Sequence, residues 1–244
     1  MTKDSKYSSL FATLLLTLLL VSIAYASLIS TVQAAEITIQ EKGLVISKDV
    51  VGLDIAEYSV NAKESPQESY QGVLPQKTVR FDIESTGSNI ELLYTFVNDK
   101  LLMLDVLENQ GSPRLTKTTN GVDEMAEDFL SSYQSYSRNS FYGELESSLV
   151  DVDPNRNSTK TVGNTKLEVS TLRNNFTHRQ IFRWTYTLNG VEAPDKAIAL
   201  GYENGFLRYF YDSWDLYKIG STEVNISEEE AVASAMERAR AYSW

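Results

Sequence analysis

The sequence predicts an α+β protein: antiparallel β-meanders each packed by a helix, in two related units, after an N-terminal apolar helix. Three observations carry this. Short runs with period-two alternation are separated by Asn/Gly/Asp turns, two amphipathic stretches follow them, and residues 10–29 are apolar without a charge. The chain has 244 residues, 42% of them hydrophobic and 23% charged, a globular composition with enough length for one sizeable core or two small ones.

Lys3 and Lys6 precede the apolar run Leu10 to Ile29, and the small residues Val32 and Ala34 stand just before Ala35. A basic flank, an apolar stretch and small residues together describe a secretory signal cleaved near Ala34 or Ala35. The run is 20 residues long, and roughly 18 or more apolar residues suffice to span a bilayer. A retained transmembrane helix is therefore the competing reading. Both readings place the body outside the cytoplasm, secreted or anchored at the cell surface. Segment 1–35 is thus a signal peptide or membrane anchor, 36–150 a first meander-plus-helix unit and 151–244 a second.

In the body, Ile37, Ile39, Leu44 and Ile46 are strand candidates, and residues 61–76, with Pro66, Gly72 and Pro75, read as a surface loop. Val79, Phe81 and Ile83 alternate with charged residues, as do Leu92, Tyr94 and Phe96 with their neighbours. Asn98-Asp99 then turns the chain into Leu101 and Met103. Asn and Asp tolerate the positive φ of a type I′ turn, so this is a tight hairpin within a three-stranded meander. After it, Asn120 caps a helix with Asp123 and Glu124 in its first turn and an apolar stripe of Val122, Met125, Phe129 and Tyr133.

The polar stretch from Asp151 to Gly163 marks the boundary between units. Beyond it come strands at Leu167/Val169, at Phe182–Leu188, at Ile198–Tyr202 and at Leu207–Tyr211, and a final helix with Ser227 and Glu230 placed as a capping box. An offset of 106 residues lays Leu92, Tyr94 and Phe96 on Ile198, Leu200 and Tyr202, and Leu101 and Met103 on Leu207 and Tyr209. The same offset carries the first helix onto the last, which suggests a duplicated unit.

Composition excludes several chemistries. There is no cysteine and one histidine, His178, so disulfide scaffolds, thiol catalysis, Cys/His zinc, haem and iron–sulfur ligation are ruled out. With 33 acidic against 22 basic residues and a net charge of −11, the chain would be repelled by nucleic acid. Glu228, Glu229 and Glu230 are explained by the first turn of a capped helix. The run Asp151–Asn157 starts like a calcium loop but carries Arg156 where the turn needs glycine. His178 lies in a polar segment unsuited to a catalytic base. No nucleophile elbow, phosphate loop or dinucleotide fingerprint occurs.

The most distinctive feature is aromatic: Phe182, Trp184, Tyr186, Tyr202, Phe206, Tyr209, Phe210, Tyr211, Trp214 and Tyr217 crowd into one stretch. Strict alternation puts Leu207, Tyr209 and Tyr211 on one face and Phe206, Arg208 and Phe210 on the other. A second apolar face calls for internal packing or for a binding surface, with Phe206, Phe210 and Trp214 as its residues. The sequons at Asn157, Asn175 and Asn225 are glycosylation candidates in an exported chain.

The stretch with Asn189-Gly190, Asn204-Gly205, Trp214 and Ile226-Ser227 followed by Ala231 resembles the PepSY and YcdB/YcdC-like repeat superfamily. The body as a whole, through phrases such as VVGLDIAEY, FLSSYQSY and LYKIGST, also resembles a paralogous group of exported archaeal proteins with no known activity. The first resemblance implies a small helix-on-sheet module of exported proteins and protease propeptides, one that binds or restrains other proteins and has no shared catalytic residues. In that superfamily strands normally follow the helix, a departure here. The expectation is thus a non-enzymatic module acting by protein binding or protease restraint, without cofactor or metal. The alternative is a glycan- or small-ligand-binding surface protein using exposed aromatics.

Overall fold

The computed structural model describes residues 37–117, 121–218 and 227–241. The first element is a helix where strands were expected. Helix α1 spans Ile39–Val45 and continues as a π-helical turn over Ile46–Val50. Thr38 caps it with a full capping box, its hydroxyl accepting from the Glu41 N–H while the Glu41 carboxylate accepts from that of Thr38. Ile39, Gly43, Ile46 and Val50 are buried at helical spacing. The alternation of Ile37 and Ile39 is incidental to that pattern.

Ten strands follow: β1 Ser59–Glu64, β2 Glu68–Tyr70, β3 Leu74–Ser85, β4 Ser88–Val97, β5 Lys100–Gln110, β6 Ser158–Val162, β7 Thr165–Arg173, β8 His178–Leu188, β9 Val191–Glu203 and β10 Phe206–Asp212. They form one antiparallel sheet in the order β1-β3-β4-β5-β10-β9-β8-β7-β6, with β2 pairing β3 outside that path. Much of the expected 61–76 loop is therefore strand, with an exposed first edge. Between β5 and β6 lie α2, Val122–Ser137, and α3, Phe141–Ser147. Helix α4, Glu228–Ala241, comes last.

This corrects the expected fold class. Instead of two meanders each packed by its own helix, one continuous sheet crosses from residue 59 to residue 212, because β5 pairs with β10. Helix α2 lies over that joint, with Phe129 and Tyr133 ring centroids 5.0 and 4.8 Å from Phe210. The rest of the same face is covered by other elements. Gly43 of α1 sits so close to Phe81 that a Cβ would come within 2.6 Å of the ring. Ser47 bonds the Tyr94 hydroxyl at 2.6 Å, and after α3 the Ser148 hydroxyl accepts from Trp184 Nε1 at 2.8 Å. Helix α4 takes no part in this cover: its residues 228–240 are all exposed, although Ser227 and Glu230 do form its capping box. Asn120, expected to cap α2, lies outside the described residues, and Gly121 holds the N-cap position of the observed helix.

The 106-residue offset does recur in the strand pairing. Phe96 pairs Leu101 as Tyr202 pairs Leu207, and Tyr94 pairs Leu104 as Leu200 pairs Phe210. Just beyond its turn each hairpin carries an extra residue in its second strand, Leu102 in β5 and Arg208 in β10, at equivalent places, and β5 has a second at Asn109. Leu104 then pairs Phe210 directly, flanked by Met103 with Tyr211 and Asp105 with Tyr209. The meanders thus meet through equivalent strands about an approximate twofold. The turn at Asn98-Asp99 has φ of 50° and 61°, as a type I′ hairpin requires.

The apolar helix expected over Leu10–Ile29 falls outside the described residues. Among the described residues no helix is long and apolar enough to cross a membrane. The transmembrane-helix reading is corrected accordingly and is not carried further.

Candidate functional site

The extra residue Arg208 decides which β10 side chains face the helices. Strict alternation sets Leu207 and Phe210 on opposite faces, but the bulge between Leu207 and Tyr209 puts both inward, 6% and 0% exposed. Asp212, two residues beyond Phe210, then also points inward, where the equivalent Val106 is core. A carboxylate at a core-facing strand position needs hydrogen-bond partners. Tyr142 of α3 donates its hydroxyl to Oδ2, and the Trp214 N–H donates to Oδ1 at 2.9 Å. Burial pushes the Asp212 carboxyl up to about 6; the two hydrogen bonds and Lys100 pull against that rise, and neighbouring Asp215 adds to it.

Asp212 borders a cleft of ≈ 400 Å³ formed by the end of α2, the start of α3, the β4–β5 turn and the loop after β10. Val97, Leu101, Leu102 and Leu216 give it apolar walls, and Val45 of α1 stands at its rim, 40% exposed. Tyr133, Tyr136 and Tyr142 supply its aromatic side. The Tyr133 ring meets that of Tyr142 edge-on at 4.7 Å, and burial raises both phenols well above their ordinary range. These hydroxyls therefore act as neutral hydrogen-bonding groups.

Six charged side chains line the cleft, three of each sign: Lys42, Lys100, Arg138, Asp99, Asp212 and Asp215. Asp99 lies 3.7 Å from Lys42 and 3.6 Å from Lys77, and Asp215 lies 2.7 Å from Lys100. Arg138 and Asp212 have no oppositely charged partner within salt-bridge distance among the described residues. Arg138 caps the C-terminus of α2 with φ of 56° and is exposed at the mouth.

The aromatics named from the sequence do not form one surface. Phe210 has no exposed area, and Phe206 is half-buried at the start of β10. Trp214 is half-buried too, its ring 4.6 Å from Phe141 and 6.0 Å from Tyr186. Lys196 Nζ sits 5.1 Å above that ring and donates to the carbonyls of Trp214 and Tyr217. These contacts pin the loop that follows Asp212 and carries Asp215 and Leu216 to the cleft, so Trp214 serves as a strut for it.

The other candidates stand apart from the cleft. Asn157 and Asn175 are exposed, the Asn157 side-chain Oδ1 accepting from the Thr171 backbone N–H at 2.7 Å. Asn225 lies outside the described residues. The His178 N–H donates to the Asn204 side chain at 2.9 Å, tying β8 to the β9–β10 turn. In the Asp151–Asn157 run, Asp153 closes a local turn by accepting from the Asn155 N–H. Among the described residues no three His, Asp or Glu side chains gather as metal ligands would. A smaller cavity, ≈ 130 Å³, lies on the other side of α2 beside Tyr202.

Asp212, Tyr142 and Arg138 were not singled out from the sequence. A signal for Asp212 existed in the 106-residue offset, which lays it on Val106 in the apolar phase. Comparisons with family models, with curated proteins and with solved structures find no match for the chain.

Proposed function

We propose that this is an exported, non-enzymatic binding module that takes a small amphipathic organic molecule into the cleft between α2, α3 and the β4–β5 turn. The observation that carries this reading is the cleft itself: apolar walls, tyrosine rings and a core-facing carboxylate meet in ≈ 400 Å³, a volume suited to a small ligand. Both Asp212 oxygens already accept hydrogen bonds from the protein, which suits holding a ligand group better than shuttling a proton. The pattern of residues 1–35 supports export. Protein docking or protease restraint through Phe206, Phe210 and Trp214 is the less favoured reading, because a side chain without exposed area cannot belong to a docking face.

The test is ligand-observed NMR on the full chain with a panel of apolar amines, acids and zwitterions, repeated on Val45→Trp. Val45 is at the rim and partly exposed, so the larger ring fills the mouth without disturbing the core. Binders that lose their signal in the variant support the reading. Binders unaffected by Val45→Trp, or no binder at all, overturn it.

A further inference from the structure

We propose that the ligand of this cleft is an apolar zwitterion of amino-acid to dipeptide size, its ammonium held by Asp212 and its carboxylate by Arg138. The inference rests on the cleft reading above and goes beyond it in naming the chemical class. It follows from which charges around the cleft are already matched. Lys42 and Lys77 share Asp99, and Lys100 holds Asp215, so those carboxylates are neutralised by the protein. One charge of each sign is left without an ion-pair partner among the described residues, Asp212 inside and Arg138 at the mouth.

The two differ in what they lack. Asp212 receives a phenol and one backbone N–H but no cation within salt-bridge distance; Lys100 and Lys196 act on it only from farther off, and its carboxyl is held up to about 6, so its charge is incompletely compensated. A ligand ammonium would supply the missing charge in a partly desolvated place, where a pairing is worth more than in water. Arg138 is solvated, so its free state costs little. Its fork of donors is the group type that recognises a carboxylate in two-point fashion.

A monovalent acid would leave Asp212 facing ligand carbon, burying a carboxylate further without a partner. A monovalent amine would satisfy Asp212 and leave Arg138 unused. A zwitterion satisfies both, and its apolar side chain meets Leu101, Leu102, Leu216 and the ring of Tyr136. The available volume limits the ligand to about one or two residues.

The experiment is isothermal titration of the full chain at pH 7 with leucyl-leucine, its N-acetyl derivative and its C-terminal amide. The dipeptide is expected to bind, with each capped form at least about tenfold weaker. Asp212→Asn keeps an acceptor for Trp214 and a donor for the Tyr142 oxygen, so it folds. In it the dipeptide and its N-acetyl form bind alike. In Arg138→Gln, the dipeptide and its amide bind alike. Capped forms as tight as the free dipeptide, all blocked by Val45→Trp, overturn the zwitterion and leave the cleft reading standing. The zwitterion is overturned in the same way if the dipeptide fails to bind while another amphiphile occupies the cleft. Binding unaffected by Val45→Trp overturns both.

Discussion

The inward carboxylate of Asp212 contributes a pH dependence whose sign follows from its burial. Asp212 has its carboxyl raised from the ordinary 3.8 to about 6 in the folded protein. Between those values the folded state binds a proton that the unfolded chain releases, so the group's contribution to stability is fullest below about pH 4 and is lost as pH rises through 6. Asp212→Asn removes the ionisation while keeping the Trp214 hydrogen bond and reversing the one to Tyr142. We expect the variant to be more stable than the parent by about 3 kcal/mol at pH 7, with most of that gain gone by pH 4. Urea melts at pH 4, 5.5 and 7 read this directly. A gain that does not change with pH, or a loss at pH 7, refutes the assignment of a strained carboxylate. A residue that weakens the fold at neutral pH yet faces a cleft is what a ligand-binding role leads one to expect.

Local pattern made some elements legible and concealed others. The hairpin at Asn98-Asp99 could be read because its turn residues and both flanking alternations are neighbours in sequence. Helix α1 was concealed because Ile37, Ile39, Leu44 and Ile46 satisfy a strand pattern if Gly43 and Ser47 are discounted. Those two small residues are what let the helix approach Phe81 and Tyr94 closely. The face of Phe210 and Asp212 was concealed by one bulge residue, Arg208, since an inserted residue inverts the phase of everything after it. Nothing local to β10 announces that bulge, so the cleft was illegible although most of its strands were not. The two α-helices expected from periodicity also differ in kind. Helix α2 buries Ala126, Phe129 and Leu130, whereas α4 has no buried residue between 228 and 240 and rests on its cap and its own hydrogen bonds. An isolated helix of 14 residues is marginal in water. Hydrogen exchange should therefore show α2 amides protected to nearly the global unfolding free energy and α4 amides exchanging orders of magnitude faster. Equal protection in both would mean that α4 has a partner surface.

Assembly of the two meanders into one sheet follows from their edges. Alone, each would present a long third strand, β5 or β10, with an unpaired row of backbone groups beside apolar residues. Pairing Met103, Leu104 and Asp105 with Tyr211, Phe210 and Tyr209 joins the two edges, and α2 covers the joint from one side. The edges left open, β1 and β6, are mostly exposed and carry Lys63, Glu64 and Lys160, residues that discourage further strand addition. Phe210 is then the side chain common to both halves, fully buried against α2 and paired with β5 and β9. We expect Phe210→Ala to cost about 3–5 kcal/mol. That cost should appear equally at Leu92 in the first meander and Leu200 in the second when amide exchange is followed at both. Two independent units would respond differently, Leu200 losing protection while Leu92 kept it. Equal loss means that the joint makes the halves one cooperative body, so the cleft beside it, built from β5, α2 and the loop after β10, is rigid only when both halves are folded.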